Sequence, residues 1–162
     1  MMGPQLLVAA LGADHDRAAF DCGTPALDRY LREIVTQDVR RRVAACFMML
    51  DGNVVVGYYT LSAASVALAE LPHDVARKLP RYPAIPAVRM GRLTINQRYL
   101  GRELGAALLV NALQRAARSE IPAVALIVDA KDESAAAFYE HFGFQSLTYD
   151  PLALFLPLAT VT

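Results

Sequence analysis

Apolar positions follow three rhythms along this chain. Leu27, Tyr30, Leu31 and Ile34 recur at helical spacing. Thr24 is the expected N-cap, Pro25 suits the first helical position, and a second short helix is expected to run on towards Arg42. From Leu104 the pattern is helical again, with Leu104, Leu108, Leu109, Ala112 and Leu113 on one face, which predicts a helix over about residues 103–119. Strand rhythms lie between. Residues 5–10 read as a strand, and the β-rich runs on either side of Asp51-Gly52-Asn53 read as a hairpin. "LPHDVARKL" predicts a short helix after Pro72, and "YPAIPAVRMGRLTI" a proline-bounded strand. The third rhythm is the unbroken apolar run "AVALIVDA", expected as a central strand covered on both faces. "DESAAAFYEHF" is a helix with Gly143 as its C-cap, and "FQSLTY" and "ALFLPLA" are closing strands.

Apart from the short helix after Pro72, the resulting order is β, α, α, β, β, β, α, β, α, β, β. The strand–helix–strand unit from Ala87 to Asp129 is expected to be a right-handed crossover between parallel strands. The hairpins make the rest antiparallel. The fold class is therefore α/β (α+β), a mixed, mostly antiparallel sheet with flanking helices. No repeat or low-complexity linker interrupts residues 1–162, read as one domain large enough for a core.

Composition narrows the classes. The chain is 55% hydrophobic, yet no run reaches the roughly 20 apolar residues of a membrane helix. "MMGPQLLVAALGADHD" lacks a basic stretch before its apolar run and is read as a first strand, not a signal peptide. Cys22 and Cys46 show neither metal spacing nor a disulfide framework, so no metal and a cytoplasmic location are expected. The formal net charge of +0 hides an asymmetry. Arg77, Lys78, Arg81, Arg89, Arg92, Arg98 and Arg102 fall in a stretch without Asp or Glu, and Arg40, Arg41 and Arg42 form a second cluster. Either they form one positive face for a polyanion, or they are solvated on several faces.

Candidate chemistry starts at "QRYLGRELGAALLVNAL", residues 97–113. Gly101 and Gly105 flank a helix start, where free backbone N–H groups and the helix dipole favour an anion. Arg98 and Arg102 add charge. The pattern is neither the nucleoside-triphosphate loop nor the dinucleotide fingerprint. By itself it is a phosphate cradle or an ordinary loop.

Together with "VDAKDESAAAFYEHFGF" it resembles the GNAT acetyltransferase superfamily, whose members use acetyl-coenzyme A. The family segment that binds pyrophosphate through backbone amides matches Arg98, Tyr99, Leu100, Gly101, Arg102 and Glu103. Glu103 departs from the usual small residue, though the amides of Arg102, Leu104, Gly105 and Ala106 remain. The resemblance implies a splayed central parallel strand pair, with pantetheine contacts from Leu93, Thr94 and Ile95. It also implies cofactor contacts at Asp132 and Ser134. "FDCGTPALDRYLR", "QDVRRRVAACF", "GYYTLSAASV", "LPRYPAIPAVRMGRL" and "VDAKDESAAAFY" are similar to the GNAT toxins of bacterial toxin–antitoxin pairs. That likeness implies acetylation of the α-amino group of aminoacyl-tRNA and a ribbon-helix-helix antitoxin. Operator DNA would be reached only through the antitoxin complex, and a homodimer is possible. Arg77, Lys78, Arg81, Arg89, Arg92, Arg40, Arg41 and Arg42 are the expected tRNA surface.

Tyr139 is the candidate proton donor to the leaving thiolate, an uphill transfer of roughly 2 kcal/mol from a phenol of ordinary pKa; otherwise it is a core tyrosine beside Phe138 and Phe142. His15, His73 and His141 form no constellation, so no general base is evident. An α-amine is already about one-tenth neutral near pH 7, unlike a lysine, and needs little more than a water relay. Two other readings stay open: acetylation of a small amine or protein N-terminus, and a noncatalytic DNA-binding co-repressor acting with an antitoxin.

Overall fold

The computed structural model describes residues 6–12 and 15–161. Gln5 of the expected first strand, and part of the segment read as carrying no signal peptide, lie outside these. The chain runs β1 (Leu7–Ala10), α1 (Pro25–Arg29), a π-helical turn (Tyr30–Ile34), α2 (Val35–Arg40), β2 (Ala45–Asp51) and β3 (Val54–Ala67). It continues with α3 (His73–Ala76), β4 (Ala84–Ile95), α4 (Leu104–Ala117), β5 (Ala125–Asp129), α5 (Glu133–His141), β6 (Gln145–Leu147) and β7 (Asp150–Pro157). Short 3-10 turns follow β3, β4 and β7. The seven strands lie in the order β1-β2-β3-β4-β5-β7-β6. The expected parallel pair is β4–β5, in register from Ala87↔Ala125 to Met90↔Val128. β4 runs on to Ile95, past its last partner in β5. The sequence order did not show that β7 inserts between β5 and β6, antiparallel to both.

The chain forms two compact units. The first holds residues up to Ser62 together with Gly91–Ala112; the second holds Ala63–Met90 and Leu113–Thr162. β3, β4 and α4 contribute residues to both.

In the first unit, Asp51 pairs with Val54 across a two-residue turn with Gly52 at φ +60°. That dihedral is why glycine leads this hairpin turn. Between Met49↔Gly57 and Leu50↔Val55 the register slips by one, leaving Val56 as a bulge. The slip reverses the side-chain alternation of β3. Val55 and Tyr58 thereby share one core with Phe20, Tyr30, Leu31, Val35, Cys46, Met48 and Leu50. Gly57 has no alternative: a Cβ there would sit 2.7 Å from the Thr94 carbonyl oxygen, 2.6 Å from Ile95 Cδ1 and 2.9 Å from Leu108 Cδ1. Helix α4 buries Leu108, Leu109, Ala112 and Leu113, while Leu104 in its first turn is half-buried.

In the second unit, Ile85, Ala87, Ala125, Ile127, Ala153 and Phe155 bury one face of the strands, under Val75, Ala76 and Leu79. Pro86 sits in β4 just before its pairing with β5 begins.

Thr24 does occupy the N-cap position, with Pro25 in the first turn, but its hydroxyl makes no cap bond. The neighbouring carboxylate is used elsewhere: buried Asp28 accepts the Cys22 N–H at 2.9 Å.

Candidate active site

The loop before α4 is anchored at its stem. Asn96 is buried; its N–H donates to the Val56 carbonyl at 2.7 Å and its side-chain amide to the Val55 carbonyl at 3.3 Å. Its Oδ1 accepts the Arg98 N–H at 3.1 Å. Gln97 bonds twice to Asp21, and the Tyr99 hydroxyl donates to Asp51 at 2.8 Å. None of these partners was legible from local pattern. Arg98 lines a recess of about 30 Å³ with Asp16, Phe20 and Asn96, while Arg102 is exposed and lies over the Tyr99 ring.

Beyond the stem, Gly101 has φ +80° and Glu103 φ +58°. A Cβ on Gly101 would meet nothing within 4 Å, so its glycine is required by conformation rather than crowding, and the space beside it is open. Glu103 takes the same left-handed region with a full side chain, which explains why a small residue is usual in this segment. Its carbonyl accepts the Ala107 N–H at 3.2 Å, opening the ladder of α4. The amides of Leu104, Gly105 and Ala106 form the first turn. Gly105 and Ala106 are half-buried.

β4 sorts its side chains by alternation. Ile95 turns towards Gly57, and Arg92 towards the π-helical turn, where its guanidinium carbon lies 3.5 Å from the Tyr30 ring centroid. Thr94 shares Arg92's parity and Leu93 has the opposite one; both are half-buried.

In the second unit, Asp132 is the N-cap of α5, accepting the Ala135 N–H at 2.8 Å. This gives the residue a structural task that the sequence reading did not assign; Ser134 is exposed. The helix closes in a Schellman motif. Gly143, at φ +96°, donates to the Glu140 carbonyl, and Phe144 to the Tyr139 carbonyl. The accompanying apolar contact is Tyr139 on Phe144, ring centroids 5.4 Å apart, with Phe138 at 5.3 Å on Tyr139. The helix end thus fixes the tyrosine.

Tyr139's hydroxyl has no hydrogen-bond partner among the described residues. The other covered tyrosines all have one: Tyr30 donates to Asp38, Tyr58 to the Leu27 carbonyl, Tyr59 to Asn111 and Tyr99 to Asp51. Tyr82 and Tyr149 are exposed. The half-buried Tyr139 phenol is thus left free to donate to a bound group, whereas the buried side-chain polar atom without a partner among the described residues is His15 Nδ1. Burial pushes the Tyr139 pKa up to about 12. Full proton transfer to a free thiolate of pKa about 8.5 is then uphill by about 5 kcal/mol, not the roughly 2 expected from an unperturbed phenol.

The basic residues do not form one uniform set. Arg77, Lys78 and Arg81 are exposed between α3 and β4. Arg89 is ion-paired with Asp129, an acid supplied by β5 that the acid-free stretch of sequence concealed. Arg92 is packed in the other unit. Arg40, Arg41 and Arg42 are exposed at the end of α2, with Arg42 at φ +62°. Burial raises both thiols, Cys46 to about 12, so neither is primed as a nucleophile. Among the described residues no group of three or more His, Cys, Asp or Glu gathers to hold a metal, and no helix is long and apolar enough to cross a membrane.

With this geometry in place, the Acetyltransferase (GNAT) family model matches residues 13–144. This chain belongs to the GNAT acetyltransferase family. A tRNA-acetylating toxin of Mycobacterium tuberculosis is 36% identical over 143 residues, 87% of this chain and 85% of the other. A probable toxin TacT of Sinorhizobium fredii is 32% identical over 158 residues, 91% of this chain and 87% of the other. The structure of AtaT complexed with acetyl-methionyl-tRNAfMet superposes with TM-score 0.91 at 30% identity, covering 97% of each chain. A mutant AtaT bound to the C-terminus of its antitoxin AtaR and acetyl-CoA gives TM-score 0.80 at 26% identity, covering 97% of this chain and 96% of that one. The GNAT fold and an acetyltransferase's chemistry, both implied by the sequence, are those of this chain.

Proposed function

We propose that this GNAT enzyme is a single catalytic domain that transfers acetyl from acetyl-CoA to the α-amino group of an aminoacyl-tRNA, and so acts as a translation-blocking toxin. The observation that carries the reading is the partnerless Tyr139 hydroxyl in an acetyltransferase whose relatives include a tRNA-acetylating toxin.

The residues present suit the cofactor. The open side of Gly101, the amides of Arg102, Leu104, Gly105 and Ala106, and the exposed Arg102 guanidinium suit a pyrophosphate. Arg98 adds positive charge at the stem. Glu103 contributes backbone only. Leu93, Thr94 and Ile95 hold the pantetheine arm through main-chain groups, and Asp132 and Ser134 are the candidate cofactor contacts at the start of α5. Acetyl-CoA supplies an activated acyl group whose carbon–sulfur bond breaks as the amide forms. Tyr139 Oη holds its proton against the departing sulfur. With its pKa raised, it acts first as a hydrogen-bond donor, the proton following as negative charge builds on the sulfur. Water accepts the proton lost by the amine, which the low basicity of an α-amine permits.

Arg77, Lys78, Arg81 and Arg89, with Arg40, Arg41 and Arg42, supply non-specific attraction for the tRNA backbone. The partners proposed are aminoacyl-tRNA and a ribbon-helix-helix antitoxin, with operator DNA engaged only through that complex, a second copy of the chain in a homodimer, and the cytoplasm as the site of action. Exposing bulk charged tRNA to labelled acetyl-CoA tests the reading. Label on the amino acid, lost in Tyr139→Phe, is the expected result; label only on small amines or protein N-termini would refute it.

A further inference from the structure

Arg92 is unlike the other arginines of the basic stretch. It is half-buried, its guanidinium carbon sits 3.5 Å from the Tyr30 ring centroid, and among the described residues it makes no ion pair or hydrogen bond. A contact that short is face to face. It uses the ring-facing side of the guanidinium and leaves the in-plane N–H donors unused. The support beneath is built in layers: Tyr30 stacks on Tyr58 with planes 13° apart, Phe20 meets Tyr58 edge-on, and the Tyr30 hydroxyl donates to Asp38 at 2.7 Å. That carboxylate is thus engaged by the phenol and not by the arginine. The helix is locally widened at the same place: the Val35 N–H reaches the Tyr30 carbonyl, an i to i+5 bond, in the single π-helical turn of the described chain. Such turns recur at functional sites. Arg92 also lies two residues past the last β4–β5 partner, at the head of the proposed pantetheine segment.

A guanidinium held by an aromatic stack, partly withdrawn from water and without an anion, is a preorganised planar fork for an anion that offers two acceptor oxygens, as the non-bridging oxygens of a phosphodiester do. From this we propose that Arg92, carried on Tyr30, binds one phosphodiester of the acceptor, the linkage immediately preceding the aminoacylated terminal nucleoside. This rests on the aminoacyl-tRNA reading above and adds to it a specific positioning contact, separate from the diffuse attraction of Arg77, Lys78 and Arg81.

The test uses two minimal acceptors: an aminoacyl ester of adenosine, which has no phosphodiester, and the same ester on the dinucleotide cytidylyl-adenosine, which has one. The wild-type chain is expected to favour the dinucleotide by about 10- to 100-fold in kcat/KM, the range of a charge-assisted bidentate contact. Arg92→Ala should remove that preference while changing adenosine-ester turnover and acetyl-CoA affinity less than twofold. Arg92→Lys should retain only part of it. Tyr30→Phe keeps the ring and should keep the preference; Tyr30→Leu should lose it. A wild type without preference, or an Arg92→Ala variant that retains it, overturns the assignment and leaves the aminoacyl-tRNA reading standing. A wild type that fails to acetylate intact aminoacyl-tRNA overturns both.

Discussion

Glu103 offers two separable effects in one side chain. Its φ of +58° costs an L-residue about 1–2 kcal/mol, and the side chain is exposed, without a hydrogen bond or ion pair among the described residues to offset that cost. Glu103→Gly removes the strain but loosens the unfolded chain, which takes back about 0.5–1 kcal/mol. The net expectation is a gain of up to about 1 kcal/mol. Glu103→Gln keeps the Cβ and its strain, and should lower stability only by the lost helix-dipole attraction, at most about 0.3–1 kcal/mol and less at high salt. Charge acts differently. Two unit charges in contact in water interact by about 1 kcal/mol, and salt reduces this at an exposed site. Removing the carboxylate beside the proposed pyrophosphate cradle should therefore tighten acetyl-CoA binding about two- to fivefold in both variants, with the gain shrinking as salt rises. Urea denaturation reads the first effect and calorimetry across a salt series the second. A Glu103→Gly protein less stable than wild type would refute the conformational argument. Equal acetyl-CoA affinity in all three proteins would refute the placement of the phosphates.

Tyr139→Phe preserves the contacts with Phe138 and Phe144, so acetyl-CoA affinity should hold within twofold while turnover falls about 10²- to 10⁴-fold in a stopped-time acetylation assay; near-normal turnover would leave Tyr139 as packing alone. Gly57→Ala drives a methyl into the Thr94 carbonyl, Ile95 and Leu108, and should lower unfolding free energy by about 1–3 kcal/mol in urea titration. Alkaline stability follows from Tyr30 and Tyr139, both raised to about 12 by burial. Each is protonated in both states below the unfolded value near 10, so their contribution is intact there and is lost as pH rises from about 10 through about 12, which denaturation at stepped pH should show. Arg77→Glu with Lys78→Glu should weaken tRNA binding and flatten its salt dependence by up to about two units of slope, leaving acetyl-CoA affinity unchanged in a filter-binding series.

Local pattern was enough for the elements of this chain, because side-chain period reports directly which backbone geometry can bury a face. The Asp51-Gly52-Asn53 turn, the α4 stripe, the unbroken run of β5 and the Gly143 cap all stand where residue type predicts them. The phosphate-loop candidate and Tyr139 were also legible, the first from glycines at a helix start, the second through family likeness. Tertiary structure alone decided the rest. The bulge at Val56, the insertion of β7 beside β5 and the carbonyl pressed against Gly57 arise from pairings between segments far apart in sequence. The sequence showed seven cations without an acid, but burial and distant partners set them apart: Asp129 neutralises Arg89, and Tyr30 holds Arg92. Likewise the phenol of Tyr139 is ordinary as a residue type. Its raised pKa and lack of a partner exist only once Phe138, Phe144 and the helix end have closed around it, because desolvation belongs to an environment and is written in no single residue.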